Sequence, residues 1–148
     1  MRTLENGQGQ VERRRRALAE VRELVAGVYR GFVAWGSLYG EVDARGERER
    51  EERVDALIGE LTNGYAPRSL WLDEKTRKKI ETFIKRSEVL RSGFSAHVRE
   101  RGYEKARSHI AKRVSRELGP LRKETEAVLE AEIAGPRQPR WRSRLFRS

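Results

Sequence analysis

The sequence predicts an all-α protein: a long, coiled-coil-like antiparallel helical hairpin with a shorter third helix, completing its bundle by self-association. Three observations predict it. Leu18, Val21, Val25, Val28, Phe32, Trp35, Tyr39 and Val42 recur at alternating spacings of three and four residues, which is the apolar seam of a coiled-coil helix. Ile80, Phe83, Ile84, Leu90, Phe94, Val98, Ala106, Ile110, Val114 and Leu118 keep a second helical period. No stretch of the 148 residues alternates apolar and polar side chains as a half-buried strand would.

Each element follows in chain order. Residues 1–10 hold two Gly and two Gln and read as a flexible lead-in; residues 11–134 form the single helical domain. Leu24 and Leu38 widen the first seam into a bundle-type stripe. Gly27, Gly31, Gly36 and Gly40 interrupt it. Each costs about 1 kcal/mol relative to Ala in a helix, and their four-residue spacing leaves flat strips for close packing. Residues 43–53 carry no large apolar side chain and suit a solvated helix with pairs such as Glu49–Arg53. The sequence leaves open whether the helix continues through Gly40–Gly46. Val54, Leu57, Ile58 and Leu61 restore an apolar face, and residues 62–69, with Asn63-Gly64 and Pro67, read as a loop.

Asp73 is placed to cap the second helix, with Gly93 and Gly102 as kinks within it. Gly119-Pro120 reads as a stop and restart before a third helix over 121–134, ended by Gly135-Pro136. Folding about residue 67 sets Val25 and Val28 beside Ile110 and Ala106, and Gly31 beside Tyr103. The uncharged side chains Phe83, Ile84 and Leu90 then face the charged 43–53 segment. The third helix, a second subunit or a broken first helix must cover them, and a homo-oligomer is the expected remedy. Val28, Phe32, Trp35, Tyr39, Phe83 and Phe94 are the expected core or interface.

The chain has 33 Lys and Arg against 23 Asp and Glu, a formal charge of +10. Residues 1–70 balance at twelve of each; residues 71–134 hold sixteen basic and eleven acidic groups; residues 135–148 hold five Arg and no acid. In the hairpin, Arg13, Arg14, Arg15 and Arg16 fall near Lys112, Arg113 and Arg116 at a basic open end. The tail adds Arg137, Arg140, Arg142, Arg144 and Arg147, with Trp141 among them. Such a field attracts phosphates or acidic protein surfaces, and arginine favours bidentate contact with either. Rings interleaved with arginines also suit stacking on bases.

Several functions are excluded by inventory. With no Cys and two His, the chain lacks a disulfide framework, thiol chemistry and a transition-metal ligand set. No P-loop is present; no metal, cofactor or small-molecule substrate is expected. The most apolar stretch, Leu24–Gly40, is too short for a membrane span and has Arg30 at its middle. The N-terminus lacks a signal-peptide pattern, so a cytoplasmic protein is expected.

Arg91 and His97, separated by five residues, resemble the Arg-then-His motif of HEPN-type ribonucleases. That resemblance implies a small all-α dimer cleaving RNA with Arg91 and His97 as catalytic residues. The residues themselves point first to a non-enzymatic interaction or assembly module whose Arg-rich pole and tail contact an acidic partner. A nucleic-acid-binding protein comes second and the HEPN-like nuclease third, with a membrane surface the least favoured partner.

Overall fold

The computed structural model describes residues 2–37 and 44–135, with side chains from Gly7 onward. Its elements are α1 (Arg2–Trp35), α2 (Ala44–Arg68), a 3-10 turn (Ser69–Trp71), α3 (Glu74–Arg101) and α4 (Tyr103–Arg113). A π-helical turn (Val114–Leu118) then leads into α5 (Gly119–Ile133). Among the described residues there is no strand, and no helix is long and apolar enough to cross a membrane.

The chain reverses at places other than the expected one. Residues 62–69 are not a loop: α2 runs through Asn63-Gly64 and ends at Arg68. Gly64 is tolerated because a side chain there would collide with Leu24, whose Cδ1 lies 2.6 Å from where a Cβ would stand. Arg68 Nη1 donates to the Gly64 carbonyl at 2.8 Å, supporting the last turn where Pro67 has no N–H to give. The first reversal instead falls between Trp35 and Ala44. Tyr39 and Val42 lie outside the described residues.

Helices α1 and α2 are antiparallel neighbours, with Gly31 beneath Leu57 and Glu20 bonded to Arg68. The glycine strip therefore does admit close packing, but against Leu57 and Val54 rather than Tyr103. α2 runs antiparallel to α3, joined by Tyr65–Glu81 and Arg91–Asp55 contacts. Gly102, with φ +84°, is a reversal rather than a kink, since that backbone conformation favours glycine. α4–α5 then returns along α3 through Arg86–Glu117 and Lys79–Glu124 and closes against α1 through Arg14–Glu132. Four helical spans thus alternate in direction around one core.

Gly119-Pro120 does not break the chain's path. The π turn hands over directly to α5, with Gly119 helical (φ −57°, ψ −54°) and Pro120 in the first turn, where its missing N–H costs least. α1 also begins at Arg2, ahead of the expected start at Val11; once a helix is nucleated, each further residue adds a bond at low cost.

Leu18, Val21, Val25, Val28, Phe32 and Trp35 from α1 meet Val54 and Leu61 from α2, Ile80, Phe83, Leu90 and Phe94 from α3, and Ile110, Val114, Leu118 and Leu129 from α4–α5, all buried. Phe83, Ile84 and Leu90 are covered within one chain, so a second copy is not needed to complete the core.

Candidate binding site

The four spans define two ends. At one, α1 finishes, α2 starts and Gly102 turns the chain. At the other lie the N-terminal part of α1, the Ser69–Trp71 turn, the start of α3 and the end of α5. Arg13–Arg16 belong to the second end.

Arg14 is committed to structure. Its Nε donates to the Trp71 carbonyl at 3.0 Å and its Nη2 to Glu132 Oε2 at 2.7 Å. The Asp73 amide donates to Glu132 Oε1 at 3.3 Å, while Asp73 Oδ1 accepts from the Thr76 amide at 2.9 Å. Asp73 is thus the helix cap expected of it. The Thr76 amide above all, with the charge of Arg14, holds its carboxyl below the usual range. Arg14 thereby ties α1 to the connection between α2 and α3 and to the end of α5.

Arg13, Arg15 and Arg16 are exposed. None has an ion-pair or hydrogen-bond partner among the described residues. Arg13 and Arg16 line a groove of about 320 Å³ with Ala17, Glu20, Arg68 and Trp71. Glu20, the carboxylate in that groove, is neutralised by Arg68 Nε at 2.5 Å. On the other side of Arg14, a cleft of about 480 Å³ is lined by Asp73, Lys75, Val128, Glu132 and Gly135. Gly135, the last described residue, lines this cleft with Arg14 and Lys75. Arg137, Arg140, Trp141, Arg142, Arg144 and Arg147 lie outside the described residues.

Lys112, Arg113 and Arg116 are not part of this end. Gly36, in the turn that ends α1, packs on Ala111, whereas Arg14 bonds Glu132; those levels are 22 residues apart, about 33 Å along a helix. The expected single basic pole therefore divides, because α1 pairs with α4–α5 in a register that sets Gly36 at Ala111 and Arg14 at Glu132. Arg113 is occupied by Glu117 at 2.6 Å, which Arg86 also reaches at 2.9 Å. The bond from Arg113 first, with the charge of Arg86, keeps the Glu117 carboxyl below its usual range. Lys112 and Arg116 are exposed on the outer side.

Arg91 and His97 do not converge. Arg91 turns to α2, bonding Asp55 Oδ1 at 2.6 Å and Oδ2 at 3.0 Å and Glu51 at 2.6 Å, and also meets Ser95 Oγ. Its guanidinium stands 5.3 Å from the Trp35 ring centroid. These carboxylates push its pKa up despite partial burial. His97 turns to α4 instead and stacks on His109, centroids 4.5 Å apart and planes 11° from parallel. Among the described residues no group of three His, Asp or Glu side chains is arranged to hold a metal.

Val28, Phe32, Trp35, Phe83 and Phe94 are core, with Trp35 against Phe94 at 3.8 Å between centroids. Sequence reasoning missed Arg68 and Trp71, which sit within and just after a stretch read as a loop. Their signal was an aromatic residue close to a cation between two apolar runs. No protein-family model matches the chain, and neither a curated protein nor a solved structure is similar to it.

Proposed function

We propose that the chain is a non-enzymatic helical interaction module that contacts an acidic partner through one basic end. The observation that carries this reading is a run of exposed arginines at that end with no ion-pair or hydrogen-bond partner among the described residues. Arg13, Arg15 and Arg16 have no carboxylate partner among the described residues, and Gly135, which precedes the five arginines of residues 137–147 in sequence, lines the cleft beside Arg14. Guanidinia left unpaired on a fixed scaffold present donors to phosphate or carboxylate without first having to break an internal pair. The reading needs no second copy of the chain to complete the core, because Phe32, Trp35, Leu61, Phe83, Leu90, Phe94, Ile110 and Leu129 of the four spans are buried in one.

Retention on a polyanion matrix tests it by position instead of by net charge. Arg13→Gln/Arg16→Gln and Lys112→Gln/Arg116→Gln each remove two exposed charges. The first pair should lower the salt needed for elution substantially and the second should barely change it. Removal of residues 136–148 should add to the first effect. Equal shifts from the two pairs would show that the charge acts diffusely, and the reading would fall.

A further inference from the structure

Two features of the basic end remain unused by a purely electrostatic account: the Trp71 side chain and the concavity it helps to line. Trp71 is half-buried and stands apart from the hydrophobic core that holds Trp35. Its backbone is fixed by Arg14 at its carbonyl. The groove beside it places Arg13 and Arg16 on one wall, donated by successive turns of α1, and Arg68 on the other. Glu20 is cancelled by Arg68, so Arg13 and Arg16 are left as net positive charge around an aromatic ring.

We infer that this groove is a binding site for single-stranded nucleic acid, in which one base stacks on Trp71 and the flanking phosphates are held by Arg13 and Arg16. The inference rests on the basic-end reading above and names its partner. Stacking of bases on aromatic rings combined with a cationic track is how single strands are held without sequence readout. A volume of about 320 Å³ suits one nucleotide unit better than a flat surface. An acidic peptide would use the arginines but has no planar group for the ring. A bilayer would meet Leu70, 87% exposed at the same turn, but a single leucine offers little area to insert, and a planar surface does not follow a concave groove.

The test uses the full chain and a labelled oligouridylate of about ten nucleotides, within the span such sites occupy. Anisotropy should report binding at about 50 mM salt that weakens steeply as salt rises. Arg13→Gln/Arg16→Gln should flatten the logarithmic salt slope by about 1.4, since each phosphate neutralised on a single strand adds about 0.7 to it. Trp71→Ala should weaken binding about 5- to 150-fold with the slope retained, and Trp71→Phe should restore most of it. In a Trp141→Phe background, the oligonucleotide should quench the fluorescence of Trp71, since Trp35 is sealed in the core. For a duplex of equal length, whose bases are already stacked, Trp71→Ala should change nothing.

Binding that is indifferent to both substitutions, while deletion of 136–148 abolishes it, overturns the groove and leaves the basic-end reading standing. No oligonucleotide binding at low salt, together with an unchanged contrast on the polyanion matrix, does the same. Loss of that contrast as well removes both. Co-sedimentation with phosphatidylserine vesicles that is lost in Leu70→Asp, with no oligonucleotide binding, overturns the inference in favour of a membrane surface.

Discussion

At the end where α1 finishes and α2 starts, Arg91 and Arg107 meet three carboxylates of α2; at the opposite end Arg13, Arg15 and Arg16 meet none among the described residues. Glu47 is 2% exposed and Arg107 Nε lies 3.2 Å from its Oε1. Neither carboxylate oxygen of Glu47 accepts a well-aimed hydrogen bond from the described residues, so this ion pair rests on charge rather than on directed donors. Beside it Arg91 spans Glu51 and Asp55. The same residue type therefore does different work at the two ends. Guanidinia between helices hold α2 against α3 and α4, while guanidinia on the outward turns of α1 leave their donors to solvent. Arginine content alone does not locate a binding surface; pairing does.

The largest test of this contrast is Arg107→Ala. It strands the Glu47 carboxylate in the interior, and breaking one side of a buried pair costs about 3–5 kcal/mol. Urea unfolding should show a lower midpoint with an unchanged slope, and Glu47→Gln added to it should recover a large part. A loss below about 1 kcal/mol would mean that Glu47 finds another partner, and the description of this end as internally paired would be wrong.

Arg91→Ala comes next, at about 1.5–3 kcal/mol for lost bonds between charged groups. Arg91→Lys should restore less than half, since an ammonium cannot reproduce the bidentate fork on Asp55. At the other end, Arg13→Gln/Arg16→Gln should stay within about 0.5 kcal/mol of the parent, as exposed substitutions without partners do. A stability loss comparable to that of Arg91→Ala would show that these arginines are structural too.

The helices were legible in the sequence because apolar period follows directly from burial on one face, and the α1 seam from Leu18 to Trp35 is buried as its spacing requires. The Asp73 cap was legible for a local reason, an Asx side chain three residues from the amide it accepts. The reversals were not. Asn63-Gly64 and Pro67 are breakers by propensity, yet Leu24 packing over Gly64 and the Arg68 bond to its carbonyl keep the turn helical. Those are contacts with α1 and with a side chain one turn away, invisible to a scan of residue preferences. That single displacement moved Lys112 and Arg116 away from Arg13–Arg16. The basic candidates at 13–16 were thus identified from composition, whereas Trp71 and Arg68 joined them only through the tertiary path of α2.

Acid separates the two ends by the groups that titrate there. Near Gly102, His109, although exposed, is held below the usual histidine range by the hydration lost beside its neighbours first, then by the charges of His97, Arg113 and Lys112. The folded state disfavours its protonation, so the stability linked to His109 is full above the unfolded value of about 6.5 and is lost as pH falls through the lower folded value. At the basic end the group concerned is Asp73, whose depressed pKa gives stability that is full above about 3.8 and is lost only as pH falls through a still lower value. Melting temperature should therefore decline in two stages, a small one between about pH 7 and 5 and a later one below about pH 4. His109→Asn, which cannot take up the proton, should flatten the first stage and leave the second. Asp73→Asn keeps a capping side chain without the titration and should reduce the second stage alone, leaving the share that Glu117 contributes. A first stage that survives His109→Asn would place the acid-sensitive contact elsewhere and dissolve this distinction between the ends.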